Sequence, residues 1–322
     1  MSGLSGRARA GRARAAAALA ALAAATLACG GPPRKVTTTT APTPPPEKPA
    51  DRILAMLPQG AQVVVEVDLA RLRANPVIGA VVTRALASGM PLPGAGAGAA
   101  AGASPAAGPL ALADVVVLAA YGVGTASAAT VTLLASRQAI AGAARVGDGV
   151  YALGPEDWTA QIAQRAAMLE ASGLVRAQPE LLELRDRAMP PNAPGASLRI
   201  TARLPFDARI ALAQQAGLEA APAQLSIWGD VVDDLAVVVE ADAADPGDRR
   251  GRQAVARLEA AIRGALASLA AEPVVQALGL PRSLGGAKLV VRGTWVRAVI
   301  AIGPEHLKRV AARASALLPA TP

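Results

Sequence analysis

Few side chains in this sequence are of the types that perform nucleophilic, acid-base or metal chemistry. The 322 residues include one cysteine, Cys29, and one histidine, His306. Usual zinc sites need more such ligands, and a Ser-His-Asp triad would have to use His306 beside a serine in a glycine-flanked turn, a setting that no serine has. His306 stands at the edge of the apolar stripe of the last predicted helix. We interpret it as a partly packed structural residue and expect no metal or cofactor.

Carboxylates are the second group of candidates, and several are concentrated in one part of the chain. Their spacing lacks the alternation and the terminal glutamate of a calcium-binding loop. The order Asp245-Pro246 is instead typical of a helix N-cap followed by a proline in the first turn. We therefore favour turns and a helix cap over a metal site. The residues concerned are Asp233, Asp234, Asp242, Asp245 and Asp248.

Cys29 has the most informative surroundings of any residue. A positively charged segment precedes an apolar run over residues 15–28, and the chain becomes rich in proline and threonine after the cysteine. Such an order is typical of an export signal, and the apolar run of 14 residues is too short to cross a bilayer. We predict that residues 1–28 are a signal peptide. Its positive charges are Arg7, Arg9, Arg12 and Arg14.

The segment Ala25-Thr26-Leu27-Ala28-Cys29 resembles the cleavage motif of bacterial lipoproteins. The resemblance implies that Cys29 is the first residue of the mature protein and carries a diacylglyceryl and an acyl group. Thr26 departs from the usual leucine, so a free thiol after ordinary cleavage and a buried cysteine are the alternatives. Because Gly30 follows in place of aspartate, the expected location is the periplasmic face of the outer membrane, with the inner membrane and the cell surface as alternatives.

Residues 29–50 form a predicted tether. Seven prolines and a run of four threonines leave this segment without the apolar side chains that a core needs. At the rise of a polyproline helix it spans up to about 60 Å. A second biased stretch, residues 91–109, is rich in glycine and alanine, and because it lacks the third glycine of a dinucleotide-binding loop we predict a surface loop.

Composition excludes several classes of function. The chain has 32 basic and 24 acidic side chains, and without the four leader arginines the mature protein keeps 28 basic residues, a net charge of about +4. Only six aromatic residues are present. Nucleic-acid binding usually requires denser positive charge and aromatic stacking surfaces, so we expect no nucleic-acid partner. With its only cysteine used by the anchor, the protein has no internal disulfide.

The remaining sequence predicts two related α+β units, residues 51–189 and 195–322. Polar and apolar residues alternate over residues 62–69 and again, 135 residues later, over residues 197–204, as in half-buried strands. Two further predicted strands, residues 150–153 and 299–302, are each followed by Gly-Pro-Glu and an amphipathic helix. We predict mainly antiparallel sheets with helices on one face. The segment Leu57-Pro58-x-Gly60-Ala61 also weakly resembles a family of uncharacterised exported bacterial proteins, which implies no activity.

One long amphipathic helix is predicted over residues 247–271. Its apolar stripe predicts packing on a sheet, and its arginine-rich side is typical of a solvated face. The alternative is that this side contacts anionic lipid headgroups or an acidic protein of the envelope. The arginines are Arg249, Arg250, Arg252, Arg257 and Arg263.

These features predict a non-catalytic, lipid-anchored envelope protein that acts as a binding or structural module. The first alternative is a periplasmic carrier of lipids or other amphiphiles, with a groove between helix and sheet. The second is a carboxylate-dependent enzyme that uses Glu66 and Asp68, which lie on the polar side of the first predicted strand.

Overall fold

The computed structural model describes residues 49–88, 108–172, 177–191, 193, 195–243 and 249–318. Cys29, the predicted signal peptide, and nearly all of the tether and of the loop over residues 91–109 lie outside the described residues. The first of the described helices begins at Pro49, within the segment predicted as tether.

The described residues form ten strands and eleven helices, which are divided almost equally between the two halves of the chain. The first half contains α1 (Pro49–Met56), β1 (Val63–Asp68), α2 (Leu69–Ala74), α3 (Gly79–Ala87), α4 (Pro109–Leu112), β2 (Val115–Tyr121), β3 (Ala129–Ala135), β4 (Ala144–Gly147), β5 (Val150–Leu153), α5 (Glu156–Ser172) and α6 (Pro179–Arg187). The second half contains β6 (Leu198–Arg203), α7 (Phe206–Ala216), β7 (Gln224–Val231), β8 (Leu235–Asp242), α8 (Arg249–Ala271), α9 (Pro273–Leu278), α10 (Pro281–Gly285), β9 (Lys288–Arg292), β10 (Trp295–Ile302) and α11 (Pro304–Leu317).

All ten strands belong to one antiparallel sheet with the order β4-β5-β3-β2-β1-β6-β7-β8-β10-β9. The two halves meet where β1 pairs with β6, with Val63 opposite Ala202 and Val67 opposite Leu198. From this seam outward, the first half has the order β1-β2-β3-β5-β4 and the second half has the equivalent order β6-β7-β8-β10-β9. A duplication would produce the same strand order in both halves. The duplication itself stays a prediction. The α+β class and the antiparallel sheet are confirmed.

Helices cover both faces of the sheet, which differs from the predicted one-sided arrangement. Val64 and Val117 on one face pack with Ile162 of α5, while Val67 and Val116 on the other face pack with the cluster around α3, α9, α10 and α11. We call these the Glu66 face, which α1, α5 and α6 cover, and the Val67 face, which α2, α3 and α7 to α11 cover. Two apolar faces need two helical layers because neither can be left in water.

The reason for the error lies in the polar positions of β1 and β6. Their alternation predicted that one side of each strand is solvated, yet Glu66 is 5 % exposed, Arg199 6 % and Thr201 1 %. The alternation of polar and apolar residues reflects two buried faces of different chemistry. Strand β2, with Val115, Val116 and Val117 all buried, has the continuous apolar pattern of a strand covered on both sides.

Two glycines on helices provide a matched test of the packing. A methyl group added at Gly79, where α3 begins, would lie 2.2 Å from the main-chain oxygen of Arg73. A methyl group added at Gly264, on the exposed side of α8, would meet no described atom within 4 Å. We expect Gly79→Ala to lower the free energy of unfolding by about 1–3 kcal/mol, since the α2–α3 corner must shift. Gly264→Ala should raise it by up to ~1 kcal/mol through helix propensity. Urea denaturation measures both; equal effects would contradict the described corner.

Candidate functional site

A buried cluster of charges lies on the Glu66 face at the seam between the two halves. Glu66 of β1 is opposite Arg199 of β6 in the sheet register. Arg185, on α6, donates hydrogen bonds from Nε to Oε1 and from Nη2 to Oε2 of Glu66, both 2.7 Å long. Both carboxylate oxygens of Glu66 are therefore engaged by one guanidinium in the two-pronged geometry that makes such pairs strong.

The cluster extends as alternating charges on either side of this pair. Nη1 of Arg185 lies 2.9 Å from Oδ1 of Asp51 on α1. Arg199 donates hydrogen bonds to Asp186 through Nη1 and to the sulfur of Met189 through Nη2. Burial raises the pKa of Glu66 above its ordinary value, while the hydrogen bonds and charge of Arg185, and the charge of Arg199, oppose the rise. The arrangement ties α1 and α6 to the middle of the sheet.

A cavity of about 230 Å³ adjoins the cluster, and Glu66, Asp68 and Arg71 are among its lining residues. Asp68 caps α2, because its Oδ1 accepts a hydrogen bond of 2.8 Å from the main-chain nitrogen of Arg71. The guanidinium of Arg71 binds Asp230 through Nε at 2.7 Å and Nη2 at 2.6 Å. Glu66 and Asp68 thus line the same cavity. Each carboxylate accepts hydrogen bonds that hold the fold, and such a carboxylate is a poor general base.

A second cavity, of about 290 Å³, is a groove between α7 and α8. Apolar side chains form much of its wall, including Phe206 and Ile210 from α7 and Leu258 from α8. Arg257 of α8 and Glu219 also line it. The groove therefore combines an apolar surface with charged groups of both signs, as surfaces that contact amphiphilic molecules do.

The predicted arginine-rich side of α8 is only partly described. Arg252, Arg257 and Arg263 are exposed, and Arg263 forms an i, i+4 ion pair of 2.7 Å with Glu259. Arg249 and Arg250 lie in the first turn of the helix, and their side chains are outside the described residues. Of the three arginines whose side chains the structure describes, Arg257 is the one that lines the groove.

The α7 side of this groove was not predicted from the sequence. Phe206 is the only phenylalanine of the chain and is 70 % exposed, and Ile210, one turn later, is 42 % exposed. An apolar pair at i and i+4 directly after a proline was the available signal. This spacing alone did not indicate an exposed pair, because the same spacing also occurs on the buried side of helices.

His306 occupies a structural position near the start of α11. Its Nε2 lies 2.9 Å from the main-chain oxygen of Gly279, so this nitrogen carries the proton and donates it. Its Nδ1 lies 3.4 Å from Oγ of Ser283. The half-buried ring thus connects α11 to the end of α9 and to α10, which agrees with its interpretation as a packed residue.

The acidic residues singled out for calcium do not come together. Asp233 and Asp234 lie in the β7–β8 turn, whereas Asp242 ends β8 and is 8 % exposed. Asp245 and Asp248 lie outside the described residues. Within the part of the chain that the structure describes, no group of three histidine, cysteine or carboxylate side chains is placed to hold a metal ion.

Comparisons with known proteins add a weak structural likeness. The sequence matches no family model and no curated protein. A solved structure titled "Structure of crystal form I of TP0453" is similar over 81 % of this chain and 96 % of that chain, with a TM-score of 0.39 and 9 % identity. A likeness at this level carries no argument about function. None of the described helices is long and apolar enough to span a membrane.

Proposed function

We propose that the protein is a lipid-anchored, non-catalytic lipoprotein of the bacterial cell envelope, whose α+β body acts as a binding or structural module. The observation that carries the proposal is the setting of Cys29, between an arginine-bearing apolar leader and a proline-threonine tether. The first of the described helices begins at Pro49, at the end of the predicted tether. This order is the one that holds a globular body close to a membrane surface.

The buried cluster supports the non-catalytic part of the proposal. A carboxylate enzyme would require Glu66 to accept a proton from a substrate, and both of its oxygens accept hydrogen bonds from Arg185 instead. Asp68 is engaged as the cap of α2. The two candidates of the enzyme alternative therefore have structural partners that any substrate would have to displace. At Glu66 this displacement would leave the buried charge of Arg185 uncompensated by Glu66.

The α7–α8 groove is the observation that favours the alternative of an amphiphile carrier. Its volume of about 290 Å³ lies just below the roughly 300–1,000 Å³ typical of sites that enclose a small molecule. Contact with part of an amphiphile suits this size better than enclosure of a whole one. We therefore place the carrier second to the envelope module.

Acylation of Cys29 is the sharpest test. We expect the protein purified from the membrane fraction of a bacterial expression host to begin at Cys29, with an intact mass raised by the diacylglyceryl and acyl groups. Cys29→Ser should abolish the added mass and move the protein to the soluble fraction, because no second anchor of comparable strength is proposed. Ser127→Ala, at an exposed loop residue, serves as the control. An unacylated chain, or unchanged fractionation of Cys29→Ser, would overturn the lipoprotein assignment.

A further inference from the structure

An apolar ridge on α7 faces outward along the α7–α8 groove. Phe206 and Ile210 are separated by one helical turn, are 70 % and 42 % exposed, and both line the groove. A single exposed apolar residue is ordinary, whereas contiguous exposed apolar side chains are typical of interaction surfaces. The chain thus places its only phenylalanine in water.

The body of α7 is fixed, so the ridge has a defined direction. Ala208, 1 % exposed, packs on the Val67 face with Ala202 and Leu204. Arg209 donates hydrogen bonds from Nε to the main-chain oxygen of Ala221 at 3.2 Å and from Nη2 to that of Ala243 at 3.5 Å. These contacts hold one side of α7 against the sheet and leave Phe206 and Ile210 on the other.

Positive charge borders the ridge across the groove. Arg257 of α8 is exposed, and it has no ion pair or hydrogen bond with another residue of the described chain. Arg252, one and a half turns earlier, is exposed and equally without such a partner. Among the lining residues that the structure describes, two arginines, Arg209 and Arg257, outnumber the one acidic residue, Glu219. An apolar ridge next to the unpaired Arg257 is complementary to an anionic lipid surface, where acyl chains lie beneath phosphates.

We propose that the α7–α8 groove docks on an anionic lipid bilayer, with Phe206 and Ile210 at the boundary of the acyl chains and Arg257 at the lipid phosphates. The proposal rests on the proposed function, because the tether keeps the body within about 60 Å of the membrane and makes a weak surface contact sufficient. The proposed lipid contact lies at the edge of α8 that faces α7, whereas the sequence predicted a contact over the whole arginine-rich side of α8.

Vesicle binding separates this surface from the anchor. The probe is the mature chain, residues 29–322, with Cys29→Ser to prevent acylation, mixed with vesicles of phosphatidylcholine alone or with an equal amount of phosphatidylglycerol. We expect binding to the mixed vesicles and little to the neutral ones. Phe206→Ser should weaken the binding roughly tenfold through lost apolar burial. Arg257→Gln should weaken it about fivefold through the lost headgroup contact.

Matched controls test whether the location matters. Val232→Ser alters a 52 % exposed apolar residue in the β7–β8 turn, and Arg145→Gln alters an exposed arginine near the far edge of the sheet. Both should bind as the parent chain does, and urea midpoints should show that all variants are folded. Equal vesicle binding of Phe206→Ser, Arg257→Gln and the controls would overturn the proposal.

A spectroscopic arm reports on insertion itself. Phe206→Trp places an indole on the ridge, and we expect quenching by brominated acyl chains beyond that of the parent chain, whose tryptophans are Trp158, Trp228 and Trp295. No additional quenching, or binding of dispersed dodecyl phosphate without binding of vesicles, would contradict docking, and the latter would favour the carrier. Because the probe lacks the acyl anchor, these outcomes are independent of whether Cys29 is acylated in the cell.

Discussion

Arg185→Met should lower the free energy of unfolding by about 3–5 kcal/mol at neutral pH, the cost of leaving a buried carboxylate without its partner. Glu66 is 5 % exposed and receives both of its 2.7 Å hydrogen bonds from this arginine. Methionine keeps much of the apolar stem of the side chain, so the loss reports the charge rather than a cavity. Urea denaturation followed by circular dichroism measures the change, which is a large part of the stability of a typical domain.

Two further variants isolate the ion pair. Arg145→Met removes an exposed pair with Asp148, whose side chains are 65 % and 85 % exposed, and should change the stability by less than about 1 kcal/mol. Combining Arg185→Met with Glu66→Leu removes both buried charges and should recover most of the loss. A single Arg185→Met variant as stable as Arg145→Met would contradict the buried clamp.

The defect of Arg185→Met should depend on pH. Burial raises the pKa of Glu66 in the folded protein, and loss of the opposing hydrogen bonds and charge of Arg185 raises it further. The folded variant then binds more protons than the unfolded chain, so its stability relative to the parent falls as the pH rises through that pKa. We expect a smaller loss at about pH 4 than at about pH 7. An equal loss at both would indicate that Glu66 does not titrate in the variant.

Asn75→Asp should be the second strongly destabilising change, at about 3 kcal/mol or more at neutral pH. Asn75 is 8 % exposed and joins the α2–α3 corner to the β7–β8 turn, donating from Nδ2 to the main-chain oxygens of Val231 at 3.3 Å and Val232 at 2.7 Å. Its Oδ1 accepts hydrogen bonds from the main-chain nitrogens of Val77 at 2.9 Å and Ile78 at 3.0 Å. An aspartate keeps the accepting side but sets a carboxylate oxygen against two carbonyl oxygens.

The control for Asn75→Asp makes the same chemical change where water is available. Gln253→Glu, on the exposed side of α8, should alter stability by about 0.5 kcal/mol or less. Acidification should restore part of the loss in Asn75→Asp, because the protonated carboxyl can donate to Val232 again. A loss as small as that of Gln253→Glu would mean that the α2–α3 corner does not depend on this side chain.

The strands near the seam were predictable to within a few residues. Alternation over residues 62–69 and 197–204 corresponds to β1 and β6, which occupy equivalent places in the two halves of the sheet. The long helix predicted over residues 247–271 corresponds to α8. Strand β4, Ala144–Gly147, was missed because four residues carry little periodic signal and, unlike β5, it is not followed by Gly-Pro-Glu. It pairs with β5 through an irregular register.

For the candidate sites, the sequence predicted which residues could take part but not the residues that pack against them. Glu66 and Asp68 were recognised as a possible pair of carboxylates, but their partners were not, because Arg185 is 119 residues from Glu66 in the chain. The arginine-rich side of α8 was predicted from its period, whereas its neighbour Phe206 was not, because a helical wheel shows one helix and the groove requires two. The spacing of residues in the sequence identifies which side chains share a helix or strand. It does not identify what packs against that helix or strand.

The order of neighbouring residues in the sequence by itself determined the antiparallel strand pattern of this protein and the surroundings of Cys29. Alternation and leader composition are both properties of residues close together in the chain. Tertiary structure decided which polar positions are buried. The side of β1 that carries Glu66 has the pattern of a solvated face, and it became an interior because α1, α5 and α6 cover it and Arg185 compensates the charge. The cost of burying a charge depends on its partner, and the partner comes from a distant part of the chain.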